Sequence, residues 1–132
     1  MPNGFHGTDQ EWERIEAPLR PLDPTLDGFA RRYGMRIARS ERNWPSRSLH
    51  WGSKVERLVQ IYLEDPARLT WNVWVCVSED RRRKRYWRNA FLRRAVAIGE
   101  IASDLEGLLE EGRRDADSWG SGDLQFATNL ER

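Results

Sequence analysis

The chain has 132 residues, a formal net charge of +1, a charged fraction of 33% and an apolar fraction of 39%. This length is typical of one domain, so we expect a single domain over residues 1–132 with a flexible segment at residues 1–8. The one cysteine, Cys76, excludes a disulfide framework and a multi-cysteine zinc site. Because the start is not basic-then-apolar and no long apolar run occurs, we expect no signal peptide, no membrane span and a cytoplasmic location.

Two short helices are predicted in the N-terminal part of the chain. Thr8 followed by Glu11 is a capping-box pattern, which opens the first helix. Asp23 and Pro24 mark a second helix start, since proline fits the first turn of a helix. Gly34 is placed to end this second helix.

The next part of the chain shows the alternation of apolar and polar residues that is typical of strands. Segments with this alternation are residues 35–38, 48–51, 57–63 and 69–78. In the last segment Val73, Val75 and Val77 share one face, whereas Trp74 and Cys76 lie on the other. Short connections favour an antiparallel meander, and the half-polar second face predicts that helices cover one side only. The sequence therefore predicts an α+β fold, an antiparallel meander of three to five strands with N-terminal and C-terminal helices packed on one face.

The C-terminal part is predicted to be helical. Apolar residues recur at helical spacing over residues 98–109, with acidic residues on the opposite face. Gly112 or Gly120 is expected to end this helix. A last helix is predicted from Ser121 onward.

Candidates for catalysis are few. His6 lies in the segment expected to be flexible, and His50 and Cys76 lie on predicted strands, where packed structural roles are typical. No nucleophile elbow, phosphate-binding loop, dinucleotide motif or zinc-protease motif occurs. We therefore expect no enzyme activity, no cofactor and no metal site. A small-ligand or enzymatic function would need a pocket that brings His50, Arg47 and Tyr62 together.

Charge is distributed in strongly opposed blocks. Residues 9–27 carry six acids and two arginines, and residues 100–117 carry seven acids and two arginines. Residues 28–57 carry eight basic groups and two acids, whereas residues 81–94 carry eight basic groups and no acid. Either the blocks neutralise one another within the fold, or one charged face is left to attract a partner of opposite sign.

The basic residues between 81 and 88 surround Tyr86 and Trp87. This cluster fits a hairpin turn that continues into a strand, and it also fits the start of a helix, so both remain open. Arginines can bind phosphates while aromatic rings stack on bases, which suits nucleic acid. The acids that follow would repel phosphate unless they face elsewhere.

Partner-binding residues are expected in three places: the tryptophan- and arginine-rich segment 40–53, the basic cluster and the acidic helix. Tryptophan and arginine dominate binding hot spots between proteins, although Trp44 and Trp51 also fit a role in the core. The candidate residues are Arg42, Trp44, Arg47, His50, Trp51, Arg82, Arg83, Arg85, Trp87, Glu106, Glu110 and Glu111.

The expected function is that of a non-enzymatic protein-binding module of the bacterial cytosol, such as an immunity protein for a toxin or a small adaptor or chaperone. The expected partner is another protein, for example a basic toxin that meets the acidic blocks. The alternative is a nucleic-acid-binding domain that uses the Arg81–Arg88 cluster with Tyr86 and Trp87. The sequence does not decide between a monomer and a homodimer.

Overall fold

The computed structural model describes residues 4–126, which form an α+β fold with one antiparallel sheet of six strands in the order β1 to β6. The strands are β1 (Arg36–Arg39), β2 (Ser46–Trp51), β3 (Val55–Asp65), β4 (Thr70–Arg81), β5 (Lys84–Val96) and β6 (Gln125–Phe126). The helices are α1 (Asp9–Glu16), α2 (Asp23–Tyr33), α3 (Ile98–Ser103) and α4 (Leu105–Ser118), with short 3-10 turns at Ala17–Leu22, Glu41–Asn43 and Ser121–Asp123. None of the helices in the described range is long and apolar enough to cross a membrane.

The predicted N-terminal helices are confirmed. Thr8 Oγ1 accepts a hydrogen bond from the Glu11 N–H at 3.1 Å, as the capping pattern requires. The second helix begins at Asp23 and is followed by Gly34, whose φ of 66° is the left-handed conformation of a helix C-cap. The N-terminal part therefore forms as local sequence signals predict.

The meander places the core on one face of the sheet. Leu49 lies opposite Val59, and Val59 lies opposite Val75, so the apolar positions of neighbouring strands are in register. Helix α4 packs on β3 and β4 over this face. At Gly112 an added Cβ would lie only 2.7 Å from a Val59 methyl carbon, so glycine permits the close approach of α4. We call this the helix side and the opposite face the open face.

The structure corrects the number of strands and decides two alternatives that the sequence left open. The sheet has six strands rather than three to five, and residues 84–88 belong to strand β5 rather than to a helix. The helical stripe is broken at Asp104, whose backbone (φ −144°, ψ 52°) is not helical, and α4 continues through Gly112 to Ser118, close to Gly120.

The last predicted helix is also corrected in part. From Ser121 the described chain forms a 3-10 turn and the two-residue strand β6, which pairs with Tyr86 and Trp87. Residues 127–132 of the predicted helix lie outside the described range, as do residues 1–3 of the predicted flexible segment. Phe5 in that segment packs against Trp12, with the ring centroids 5.3 Å apart.

Candidate functional site

The open face carries a concavity of about 480 Å³ whose floor is formed by β3, β4 and β5. Alternation along each strand brings these side chains to the face opposite the core. Its lining residues are Glu41, Arg42, His50, Glu56, Leu58, Gln60, Tyr62, Trp74, Cys76, Ser78, Arg85, Trp87 and Asn89. The concavity is therefore lined by aromatic, acidic and basic side chains.

An aromatic row crosses three adjacent strands of the open face. The Trp74 ring lies 5.5 Å from Tyr62 and 5.9 Å from Phe91, measured between centroids. Trp74 Nε1 donates to Gln60 Oε1 at 2.8 Å, which fixes the indole in place. Phe91 is 41% exposed, and the Arg94 guanidinium lies 4.6 Å from its ring centroid. The row therefore offers a preformed apolar surface with a cation at its end.

Tyr62 is the buried end of this row. Asn72 Nδ2 donates to the Tyr62 hydroxyl at 3.1 Å, and Asn72 Oδ1 accepts from the Ala95 N–H at 2.8 Å. Burial raises the pKa of Tyr62, so its hydroxyl is neutral at physiological pH. These contacts tie the open face to the end of β5.

A polar chain forms the wall of the concavity next to β2. Ser46 Oγ accepts from the Glu41 N–H at 3.0 Å, and Ser48 Oγ donates to the Glu41 carboxylate at 2.7 Å. His50 Nε2 lies 3.0 Å from Ser48 Oγ, so we assign the ring hydrogen to Nε2. His50 Nδ1 is then a buried acceptor with no hydrogen-bond partner in the described chain. A ligand donor that reaches this atom would satisfy it.

The hairpin between β4 and β5 ends in a two-residue turn, Arg82 and Arg83, closed by the pair Arg81 and Lys84. We call Arg82 and Arg83 the β4–β5 tip. Arg85, after the turn, lines the concavity and donates to Asp80 at 3.1 Å. The tip thus projects beside the end of the open face.

The two aromatic residues of the basic cluster point to opposite sides of the sheet. Trp87 lines the concavity. Tyr86 pairs with the buried Glu79, and the Arg81 guanidinium lies 4.1 Å from its ring centroid on the helix side. Only one of the two rings in the basic cluster therefore reaches the open face.

Arg47 lies in the interior. Its side chain is 2% exposed and faces the helix side, where Nε contacts Asp23 at 2.7 Å and Nη2 contacts Glu16 at 2.9 Å. Burial alone would lower the pKa of Arg47, but the hydrogen bonds to Asp23 and Glu16 raise it above its ordinary value. Arg47 therefore joins the N-terminal helices to β2, and it does not meet His50 and Tyr62 in one pocket.

The two predicted tryptophans of segment 40–53 also make internal contacts. Trp44 is buried, and its Nε1 donates to the Leu63 carbonyl at 2.8 Å. Trp51 is partly exposed, and its Nε1 donates to Asp117 of α4 at 2.9 Å. Both side chains therefore help to hold the fold together.

The acidic helix pairs with basic residues of the same chain. Glu106 lies 3.6 Å from Arg32, and Glu111 lies 3.6 Å from Arg93. Glu110 contacts Arg113, whose hydrogen bond is the main reason that the pKa of Glu110 is lowered. The first acidic block is paired in the same way through Glu16 and Asp23, and also Asp27 with Arg39. These contacts favour the interpretation that the acidic blocks are largely neutralised within the fold.

Of the predicted partner-binding residues, the structure brings four together around the concavity: Arg42, His50, Arg85 and Trp87. The sequence analysis did not select Trp74 or Phe91. Trp74 had a usable signal, because the alternation of β4 placed it on the face away from the valines. Phe91 had a weaker signal as an aromatic ring close to the basic cluster, and its face could not be assigned because the sequence left residues 84–88 open between strand and helix.

Comparisons with known proteins do not assign a role to this concavity. No protein-family model matches the chain, and comparisons with curated proteins and with solved structures give no significant match. Within residues 4–126, no group of three or more histidine, cysteine or acidic side chains is arranged to hold a metal ion.

Proposed function

We propose that this protein is a non-enzymatic binding module whose partner is another protein, and that the partner docks on the open face. The observation that carries the proposal is the ring pair of the partly buried Trp74 and the exposed Phe91, near Trp87 and the charged residues Arg42 and Arg85. Aromatic and arginine side chains contribute most to protein binding because each buries a large area and keeps a polar contact.

The mixed charge of the rim supports a protein partner. Glu41 and Glu56 line the same concavity as Arg42 and Arg85, so side chains of both signs surround the aromatic residues. A protein segment can match such a pattern side chain by side chain. A phosphate backbone would meet two repelling carboxylates there. Immunity proteins for toxins, small adaptors and chaperones all fall within the proposed class.

The acids of α4 give less support for a basic toxin as partner. Glu106, Glu110 and Glu111 each face an arginine of this chain, so a basic partner would have to displace those arginines. The open face is the better candidate interface, because burial of its aromatic side chains by a partner would contribute favourable free energy to binding.

The hydrogen-bond order beside His50 supports a function without catalysis. A nucleophilic serine needs its hydroxyl hydrogen directed at a base. Here Ser48 donates its hydrogen to Glu41 and, with the ring hydrogen assigned to Nε2, accepts from His50, which is the reverse of that requirement. These three side chains therefore form a hydrogen-bonded wall of the concavity, and among the described residues the buried His50 Nδ1 is its unpaired acceptor.

A matched pair of variants tests the proposal. Phe91 on the open face and Tyr33 on α2 are similarly exposed, at 41% and 37%. Phe91→Ala combined with Trp87→Ala removes the open-face surface, and Tyr33→Ala is the control. We expect the wild type and the control to capture one protein from the source lysate in near-equal amount, and the double variant to lose at least tenfold affinity for that protein after purification. Capture of no protein, or equal affinity of all three forms, would contradict the proposal.

Single-stranded nucleic acid is the second candidate. The observation that favours it is the row of rings across three strands, because bases stack on such rings on the open face of a sheet. Fluorescence anisotropy with labelled oligothymidine and oligouridine of about 12 nucleotides tests this candidate. Binding that weakens steeply with salt and is lost in the Phe91→Ala, Trp87→Ala variant would favour nucleic acid over protein.

A further inference from the structure

The β4–β5 tip combines an unusual backbone with an unusual sequence. Arg82 has a φ of 51° and Arg83 a φ of 67°, so both residues of the turn are left-handed. A two-residue hairpin turn of this kind matches the twist of the strands, and Asn-Gly or Asp-Gly is its preferred sequence. Arginine has a Cβ that crowds the backbone in this conformation. The turn therefore carries two side chains that local stability does not favour.

The charges of the tip are not neutralised within the described chain. Both arginines are exposed, and no carboxylate of residues 4–126 lies within ion-pair distance of either one. The flanking residues differ, because Arg81 pairs with the buried Glu79 and Arg85 pairs with Asp80. Glu79 and Asp80 therefore form ion pairs with the flanking arginines, and the tip keeps its two positive charges.

Strained residues that stability does not explain are typical of contact sites. The tip is fixed by β4 and β5, which pair from Arg81 and Lys84 down the length of both strands. A fixed backbone lowers the entropy lost when two guanidinium groups engage a ligand. Arginine also binds carboxylates through two parallel hydrogen bonds, which lysine cannot do.

We propose that the β4–β5 tip is a preformed contact for an acidic segment of the partner protein, a proposal that rests on the function proposed above. Charge complementarity identifies the occupant as a segment rich in aspartate or glutamate. Because Arg85 joins the tip to the concavity, the same partner can place an aromatic or apolar segment on the open face. A phosphate backbone is less suited, because it stays charged along its whole length and would meet Glu41 and Glu56 at the concavity, whereas a protein segment can carry its acids at the tip alone.

Two double variants separate the position of the positive charges from the net charge of the protein. Arg82→Asn with Arg83→Gly restores the preferred turn sequence and removes two positive charges. Arg14→Gln with Arg31→Gln removes the same charge from exposed helical positions where residues 4–126 provide no ion pair. The probe is a fluorescein-labelled peptide of about ten glutamates, titrated by anisotropy at low salt.

We expect the tip variant to bind the glutamate peptide at least tenfold more weakly than the wild type, whereas the control loses less than about threefold. We also expect the melting temperature of the tip variant to rise by about 5 °C, because left-handed strain is relieved. Equal loss in both variants, no binding by the wild type, or no rise in melting temperature would overturn the inference.

Two further outcomes distinguish a failure of the proposal for the tip from a failure of the proposed function. If oligothymidine binds more tightly than the glutamate peptide and is lost in the tip variant, the tip contacts nucleic acid and the acidic-protein assignment is wrong. If the captured partner binds the tip variant as well as the wild type while the Phe91→Ala, Trp87→Ala variant fails, the proposed function stands and the contact at the tip is disproved.

Discussion

Arg47 of β2 donates to Asp23, the first residue of α2, at 2.7 Å, and this contact joins the N-terminal helices to the sheet. The same guanidinium reaches Glu16 at the end of α1. One buried arginine thereby neutralises two acids that are separated by a 3-10 turn. The register of β2 and the positions of both helices are coupled through this side chain.

We expect Arg47→Ala to lower the free energy of unfolding by about 3–5 kcal/mol, because Glu16 and Asp23 lose their buried partner and keep only the half-exposed Arg20 and Arg39. Arg39→Ala is the matched control, since Arg39 also contacts Asp23 and Asp27 but is 44% exposed. The control should lose less than about 1 kcal/mol. Chemical denaturation measures both, and equal losses would show that Arg47 has no special role.

Substitution of Gly112 tests the close approach of α4 to strand β3. Gly112→Ala would place a methyl group 2.7 Å from Val59 and should cost about 1–3 kcal/mol of unfolding free energy. Gly28→Ala in α2 is the control, because an added Cβ there meets nothing within 4 Å. It should stabilise the protein by up to about 1 kcal/mol. A stabilised Gly112→Ala variant would contradict the described packing.

Acid should weaken the fold through Glu79. The hydrogen bond from Ser121 and the contact with Arg81 lower the pKa of Glu79 in the folded state. A lowered folded-state pKa means that the stabilisation is complete above the unfolded value, about 4.3, and is lost as the pH falls toward the folded value. We expect Glu79→Gln to be less stable than the wild type at neutral pH and to show a shallower loss of stability below about pH 4.3. Parallel curves for the two proteins would refute this assignment.

The acids of α4 should not carry partner binding. Changing Glu106 and Glu111 to Gln removes two surface ion pairs, each worth less than about 1 kcal/mol. We expect the affinity for the captured partner to stay within about twofold of the wild type. Isothermal titration calorimetry measures this directly. A tenfold loss would move the interface from the open face to α4.

Local signals account for the parts of the fold that the sequence predicts. Thr8 and Gly34 act within a few residues of their own position, and the alternation of Val73, Val75 and Val77 indicates a strand with one fully buried face. The sequence of strand β5 does not show this alternation of apolar and polar residues. On its helix side Arg88 covers the Trp119 ring and Arg93 pairs with Glu111, so polar residues occupy both faces and hide the period of two.

Contacts between distant segments decide the features that local sequence signals leave open. Gly112 resembles a helix end in sequence, whereas its role is set by Val59 on a strand far along the chain. Arg47 resembles an exposed binding residue until Glu16 and Asp23 are placed beside it. The candidate site was found only in part for the same reason, because the row from Tyr62 through Trp74 to Phe91 depends on the register of three strands.

The indole N–H signals of the tryptophans give the most direct test of docking on the open face. A ¹⁵N-labelled sample titrated with the captured partner would report on each ring, once the signals are assigned by single Trp→Phe variants. We predict shifts at Trp74 and Trp87, which line the concavity, and none at the buried Trp44 and Trp71. Shifts at Trp12 and Trp51 with Trp74 and Trp87 unchanged would place the partner on the helix side and contradict the account.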